Sequence, residues 1–170
     1  MNKLYTAGRA SAVSLLFWVI VTYCFAFIGA IAASQAGSFY AQLSRPGWAP
    51  PAWLFGPVWG VLYFFMALAV WRIWQIKSVR IGTSANTAIT LYLVQLGLNA
   101  LWTWLFFSWH LGLLAFVAVV LLWLLITATT FMFYRNDRLA AMLMLPYLAW
   151  VSFASVLCFS VWQRNPNLLG

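Results

Sequence analysis

The 170-residue chain is 66% hydrophobic and 6% charged, with a mean hydropathy of +0.94. A soluble domain carries about 25% charged residues, so this composition excludes a water-dispersed globular domain and places the bulk of the chain in lipid. The net charge of +8 reads as a topology signal and not as nucleic-acid binding, because no basic patch interleaved with aromatics accompanies it.

The charged positions are Lys3, Arg9, Arg45, Arg72, Lys77, Arg80, Arg135, Asp137, Arg138 and Arg164, and they leave uncharged windows at 10–44, 46–71, 81–134 and 139–163. Crossing a bilayer takes about 20 apolar residues as helix. Three windows therefore hold one span each, and the long third window holds two, broken at Ser108–Gly112 ("SWHLG"). The predicted fold is all-α and integral to the membrane: a single domain of five transmembrane helices over 12–33, 54–75, 86–107, 111–134 and 139–162, with a long structured loop, 34–53, between the first two.

The first span is preceded by Lys3 and Arg9 and carries an Ala30-Ile31-Ala32 triplet, features a cleavable signal peptide also shows. A signal core is about 7–15 residues; this run is longer, so it is read as a retained span. Cys24 and Cys158 fall inside predicted spans without metal-ligand spacing and read as small hydrophobes.

The 34–53 loop has turn signals at Gly37, Gly47 and Pro50-Pro51. The stretch Arg45–Trp59, "RPGWAPPAWLFGPVW", holds four of the six prolines and three of the twelve tryptophans. Proline fixes φ and extends its predecessor, so "WAPPAW" is expected to form a stiff extended strap. Pro57 falls in the first turn of the second span, where a missing N–H is tolerated. Phe55, Trp59, Tyr63 and Met66 share a face of that span. Gly56-x-x-x-Gly60 has the spacing of a close helix contact.

In the third span Tyr92, Gln95, Asn99 and Trp102 share a face. They read either as interhelical packing and hydrogen bonding or as the wall of a pocket, and the two are compatible. His110, the only histidine, lies at the following turn, exposed or as a ligand to a haem iron. In the fifth span Pro146 is expected to kink the helix or open a gap, and Trp150, Ala154 and Leu157 follow on one face. Trp71, Trp74, Trp109 and Trp162 lie at span ends, where indoles anchor to the interface.

Asp137 is the only acidic residue and lies in a loop. That removes the membrane-depth carboxylates of ion-coupled transporters and leaves no hydrolytic triad or metal cluster. What remains is aromatic and neutral polar chemistry. At 1.5 Å per residue, Trp59 and Trp102 lie about 8–9 Å below the surface on the side of the proline-rich loop, with Trp150 deeper and Ala154 giving clearance. Three helices thus offer aromatic walls under a stiff loop, the form of a lidded apolar pocket for a flat hydrophobic ligand. Counting Lys and Arg by face puts seven of nine on the side of the N-terminus. The N-terminus is therefore expected in the cytoplasm and the C-terminus outside, most simply in a bacterial inner membrane.

The segments "FYAQLSRPGWAPPAWLFGPVWGVLY" (Phe39–Tyr63), "QLGLNALW" (Gln95–Trp102) and "PYLAWVSFASVL" (Pro146–Leu157) resemble the TspO/MBR family of tryptophan-rich sensory and translocator proteins in order, spacing and helix placement. The resemblance implies a five-helix membrane protein, commonly a homodimer in contact with membrane lipids. It further implies binding of porphyrins such as protoporphyrin IX, sterols and drug-like molecules, with no required cofactor expected. Its ligand contacts carry over to Trp59, Asn99, Trp102, Trp150 and Ala154, with lid positions at Trp48, Pro50 and Pro51; Phe55, Tyr63 and Gln95 share the faces concerned. A family tryptophan early in the fourth span is replaced here by Leu114. The family's sterol motif lacks its central tyrosine, since "LCFSVWQR" has Phe159 and Ser160 there. The expected function is a membrane sensor for tetrapyrroles, protoporphyrin IX or haem. Alternatives are light-dependent porphyrin degradation involving Trp150, which would make that residue catalytic, or facilitated transport.

Overall fold

The computed structural model describes the backbone of residues 2–79 and 83–170 and the side chains of 11–76 and 84–170. The basic side chains of Lys3, Arg9, Lys77 and Arg80, counted above for topology, lie outside the described residues. Helices form at α1 (Asn2–Ala32), α2 (Ala36–Gln42), α3 (Phe55–Val79), α4 (Thr83–Thr103), α5 (Gly112–Asn136), α6 (Arg138–Arg164) and α7 (Pro166–Leu169). Five of them are long and apolar enough to cross a membrane: Ser11–Ala32, Ala52–Ile76, Ser84–Ser108, Gly112–Asn136 and Arg138–Arg164. These are the five expected spans, and the chain is an integral multi-pass membrane protein.

The spans close into a ring in the order α1, α3, α6, α5, α4, with α3 also touching α4 across the middle. The interior is filled by fully buried Met66, Val70, Ile73, Tyr92, Leu96, Phe133, Met144 and Tyr147. In lipid such contacts rest on close packing and interhelical hydrogen bonds, because the surrounding tails are as apolar as the side chains. Two polar ties mark the end of the bundle away from the α1–α3 connection. The Arg72 guanidinium meets the Asp137 carboxylate at 2.7 and 2.8 Å. The other carboxylate oxygen of Asp137 accepts the N–H groups of Leu139 and Ala140 and caps α6.

The α1–α3 connection departs from the expected strap. Gly37 is not a turn but lies within α2, which continues from α1 through turns closed by Ala36 N–H to Ala33 O and Phe39 N–H to Gln35 O. This short helix forms because Phe39 and Tyr40 are buried beneath it. Gly47–Trp48 is a turn, with Ala49 N–H bonded to Pro46 O at 3.0 Å. Pro51 is extended, and a 3₁₀ turn, Ala52–Leu54, then leads into α3. The loop is pinned at its far end by Asn165. Its amide oxygen accepts Ser44 N–H at 2.8 Å, and its amide nitrogen donates to Ser44 O at 3.0 Å and Val161 O at 2.7 Å. The Tyr40 hydroxyl donates to Pro50 O at 3.1 Å.

The α4–α5 break falls where "SWHLG" placed it, but the last turn of the span, Trp104–Ser108, is π-helical. His110 follows with φ 55°, the left-handed region. α6 runs through Pro146 without a break in the helix. The Cα face of the Gly56/Gly60 pair packs on no other helix within the chain, since a Cβ at either would meet nothing within 4 Å.

Candidate functional site

A cavity of about 440 Å³ opens at the loop end of the ring. α3 contributes most of one wall. Phe55, Trp59 and Tyr63 follow one another at the helical repeat and Gly56 and Gly60 lie beside them. α4 adds Asn99, Trp102 and Thr103, and α6 adds Trp150 and Ala154. α1 supplies Tyr23, Ala26, Gly29 and Ala30, and the connection supplies Ala33, Ala36, Gly37, Tyr40 and Ala52. α5 contributes nothing, so Leu114, half-exposed on the outer surface, does not bear on the cavity.

The aromatic walls interlock. Trp59 lies 5.4 Å from Tyr63 and 6.0 Å from Tyr147 between ring centroids; Trp150 lies 5.9 Å from Phe55 and 5.5 Å from Phe153. Phe107 follows Thr103 at i, i+4 spacing and lines the cavity, while Phe106 is buried against Trp102 and Phe39. Met66, one turn deeper than Tyr63, is in the core.

The polar content is small and, among the described residues, uncharged. The Asn99 amide donates to the Tyr147 hydroxyl at 3.0 Å. The Thr103 hydroxyl donates to Asn99 O, and the Tyr23 hydroxyl to Gly60 O at 2.9 Å. Arg45 stands behind the loop wall, its guanidinium 4.7 Å from the centroid of the Tyr40 ring. Burial pushes the Tyr40 phenol above its ordinary value, an effect the neighbouring Arg45 partly offsets.

Seven of the sequence-predicted positions meet here: Phe55, Trp59, Tyr63, Asn99, Trp102, Trp150 and Ala154. Four do not. Gln95 is fully buried one turn deeper than Asn99, and both its amide atoms lack a partner among the described residues. Trp48 is half-exposed and packs edge-on against Phe153 at 5.8 Å. Pro50 and Pro51 also stay outside, because the turn at Gly47–Trp48 and the 3₁₀ turn carry the strap over the rim, and α2 with Ala52 forms the underside. His110 is likewise outside the cavity, with its imidazole 4.1 Å from the Phe39 ring. Among the described residues no three His, Cys, Asp or Glu side chains come together as a metal site. The α1 wall, Tyr40 and Phe107 were not anticipated. Ala26, Gly29, Ala30 and Ala33 carry the only signal that could have found them, a run of small residues at helical spacing.

Five spans closed around a neutral, aromatic cavity define a multi-pass α-helical membrane protein with an internal chamber. The chain belongs to the TspO/MBR family, whose model matches residues 13–163. It is 39% identical over 135 residues to tryptophan-rich protein TspO of Chlorobaculum tepidum, covering 77% of this chain and 82% of that protein. It is 36% identical over 153 residues to protein CrtK of Rhodobacter capsulatus, covering 89% and 94%. With the human translocator protein it shares 38% identity over 135 residues, 78% of each chain. The family is one of membrane sensor and translocator proteins.

Proposed function

We propose that this protein is a membrane receptor for tetrapyrroles, protoporphyrin IX or haem, and for other flat hydrophobic molecules held in the same cavity. The observation that carries the reading is the convergence of Trp59, Trp102 and Trp150 from three helices on one 440 Å³ chamber. Pockets for small ligands span about 300–1,000 Å³ and combine apolar walls with a few placed polar groups, as this one does. Trp59 and Trp150 offer ring faces and edges for stacking. Asn99 is the one amide on the wall, Ala154 leaves clearance one turn along α6 from Trp150, and Phe55 and Tyr63 complete the α3 side. A relative in Cereibacter sphaeroides, 34% identical, is named tryptophan-rich sensory protein, in keeping with a sensory role. The basic asymmetry supports an orientation with the N-terminus in the cytoplasm and the cavity in the outer half of a bacterial inner membrane, in a protein that works as a homodimer.

The test is a protoporphyrin IX titration of the purified protein, read by tryptophan quenching. Saturable binding weakened about two- to tenfold by Trp150→Phe and abolished by Trp59→Ala/Trp150→Ala is expected, each aromatic contact contributing about 0.5–1.5 kcal/mol beyond its buried area. Quenching equal in wild type and double variant would overturn the reading.

A further inference from the structure

We infer that the protein carries a second ligand site, separate from the chamber: a polar groove at the loop end that holds the head group of a phospholipid bearing both a phosphate and a primary ammonium. The inference does not depend on what occupies the chamber.

The groove, of about 380 Å³, lies where the start of the α1–α3 connection meets the turn from α4 to α5. Among the described residues only Phe107 lines both it and the chamber. Where the chamber is aromatic, this groove is polar. Gln35, Ser38 and Gln42 follow one another at i, i+3 and i+7, so one side of α2 is turned to it. From the other side comes His110, the one non-glycine residue with positive φ among the described residues. Such strain persists only where the surroundings fix it, and here the Phe39 ring, 4.1 Å away, holds the imidazole at the groove.

The hydrogen-bond inventory selects the ligand. Ser38 gives its hydroxyl proton to Gln35 O and Ser108 gives its own to Ala32 O, so both hydroxyl oxygens are left as acceptors. The side chains of Ser34, Gln35, Gln42 and His110 make no hydrogen bond to another described residue. The groove thus offers two amide N–H₂ groups, an imidazole and a hydroxyl as donors, and two amide oxygens with Ser38 and Ser108 as acceptors. No lining side chain carries a fixed charge. A neutral set with both kinds of group matches a zwitterion: phosphate oxygens take the donors, and an ammonium with three N–H groups takes the acceptors. A choline head has no N–H to give, and a head with phosphate alone brings a charge that nothing in the groove balances. The depth is that of head groups. Trp109, beside His110, is 52% exposed just past the end of its span, where indoles sit at the interface. Ile28 and Ile31 near the end of α1, and Leu111 after His110, are exposed apolar side chains next to the groove that acyl chains can cover.

The test uses the chain's only histidine. With isotope-labelled histidine, solid-state NMR of the wild-type protein in liposomes reads how strongly phosphorus dephases the imidazole nitrogens. Liposomes of phosphatidylcholine alone are compared with mixtures containing phosphatidylethanolamine or phosphatidylglycerol. Dephasing is expected only with phosphatidylethanolamine present. Equal dephasing by all three lipids would reduce the contact to any neighbouring head group and overturn the inference, as would dephasing by none. Soluble phosphoethanolamine is added separately to protein in phosphatidylcholine; a response to it without one to the lipid would make the ligand a soluble amine phosphate and overturn the lipid assignment. Substitution then locates the site. Gln35→Ala/Gln42→Ala changes two exposed positions, neither side chain bonding the helix, and alanine favours α2. His110→Gly removes the imidazole at a backbone angle that glycine adopts freely. Each variant is expected to keep its thermal midpoint and to retain about two- to tenfold less phosphatidylethanolamine through purification, read by native mass spectrometry, with phosphatidylglycerol unchanged. Retention unchanged in both variants, or lowered equally for both lipids, would overturn the site.

Discussion

The Asn99 amide donates a 3.0 Å hydrogen bond to the Tyr147 hydroxyl, joining α4 to α6 at the cavity wall. Asn99 is 1% exposed and Tyr147 fully buried, so neither group finds water if the other is removed. Interhelical hydrogen bonds in membranes contribute about 0.6 kcal/mol on average, up to about 1.7. Tyr147→Phe should therefore lower stability by about 1 kcal/mol. Asn99→Ala should cost less in the Tyr147→Phe background than in wild type, and equilibrium unfolding of the four proteins of this double-mutant cycle measures the difference. Equal costs in the two backgrounds would mean the bond contributes nothing.

Asn165 makes three hydrogen bonds, two of them to the backbone of Ser44 across 121 positions of sequence. Asn165→Ala leaves Ser44 without that clasp while α6 keeps its own ladder. The expected result is a loss of about 1–3 kcal/mol, felt first in the loop. Hydrogen exchange should speed up at the Ser44 amide by an order of magnitude or more while amides in the middle of α6 keep their protection. A uniform change along the chain would show that the clasp supports the whole bundle and not the loop.

How much of this was readable beforehand follows from where the information lies. The five spans came from the spacing of ten charged residues, because the cost of placing charge in lipid acts on each window alone. Within a helix, the 3.6-residue period put Phe55, Trp59 and Tyr63, or Asn99 and Trp102, on one face without reference to any other helix. The same rule misled at Gln95, one turn below Asn99 on that face, because where a cavity ends depends on how neighbouring helices fill the depth. The last turn of that span, Trp104–Ser108, is π-helical, a departure from the 3.6-residue period that the sequence does not announce. Tyr40 and the small residues of α1 reach the site through the folding of a seven-residue helix and the relative placement of α1 and α3. No local pattern encodes either.

Asp137 serves two masters, the Arg72 ion pair and the cap of α6. Substitution separates them. Asp137→Asn keeps a capping side chain, since asparagine caps as well as aspartate, and removes the charge; with Arg72 36% exposed, the expected loss is about 1 kcal/mol. Asp137→Ala removes the cap as well and should cost about 1 kcal/mol more. Raising salt to about 1 M shortens the screening length to about 3 Å and should shrink the wild-type advantage over Asp137→Asn, leaving the gap between Asp137→Asn and Asp137→Ala. Thermal unfolding at both salt concentrations distinguishes the two contributions, and a salt-independent gap for Asp137→Asn would remove the ion pair from the account.

Tyr40 gives the loop a defined alkaline limit. Burial raises its phenol above the ordinary value of 10.0, and the Arg45 guanidinium over its ring only partly offsets this. The native state thus holds the phenolic proton more tightly than the unfolded chain does. By linkage, that contribution is fully present below pH 10 and is lost as the pH rises through the native value. Ionisation also takes away the hydroxyl donor to Pro50 O, so the loop should loosen over the same interval. Limited proteolysis between Gln42 and Trp53, followed from pH 8 upward, should show cleavage setting in above about pH 10. In Tyr40→Phe cleavage should be faster at pH 8 and flat across the range. Arg45→Gln removes the offsetting cation and should move the wild-type onset to higher pH; an onset moved to lower pH would mean that Arg45 does not act on the phenol from its place over the ring.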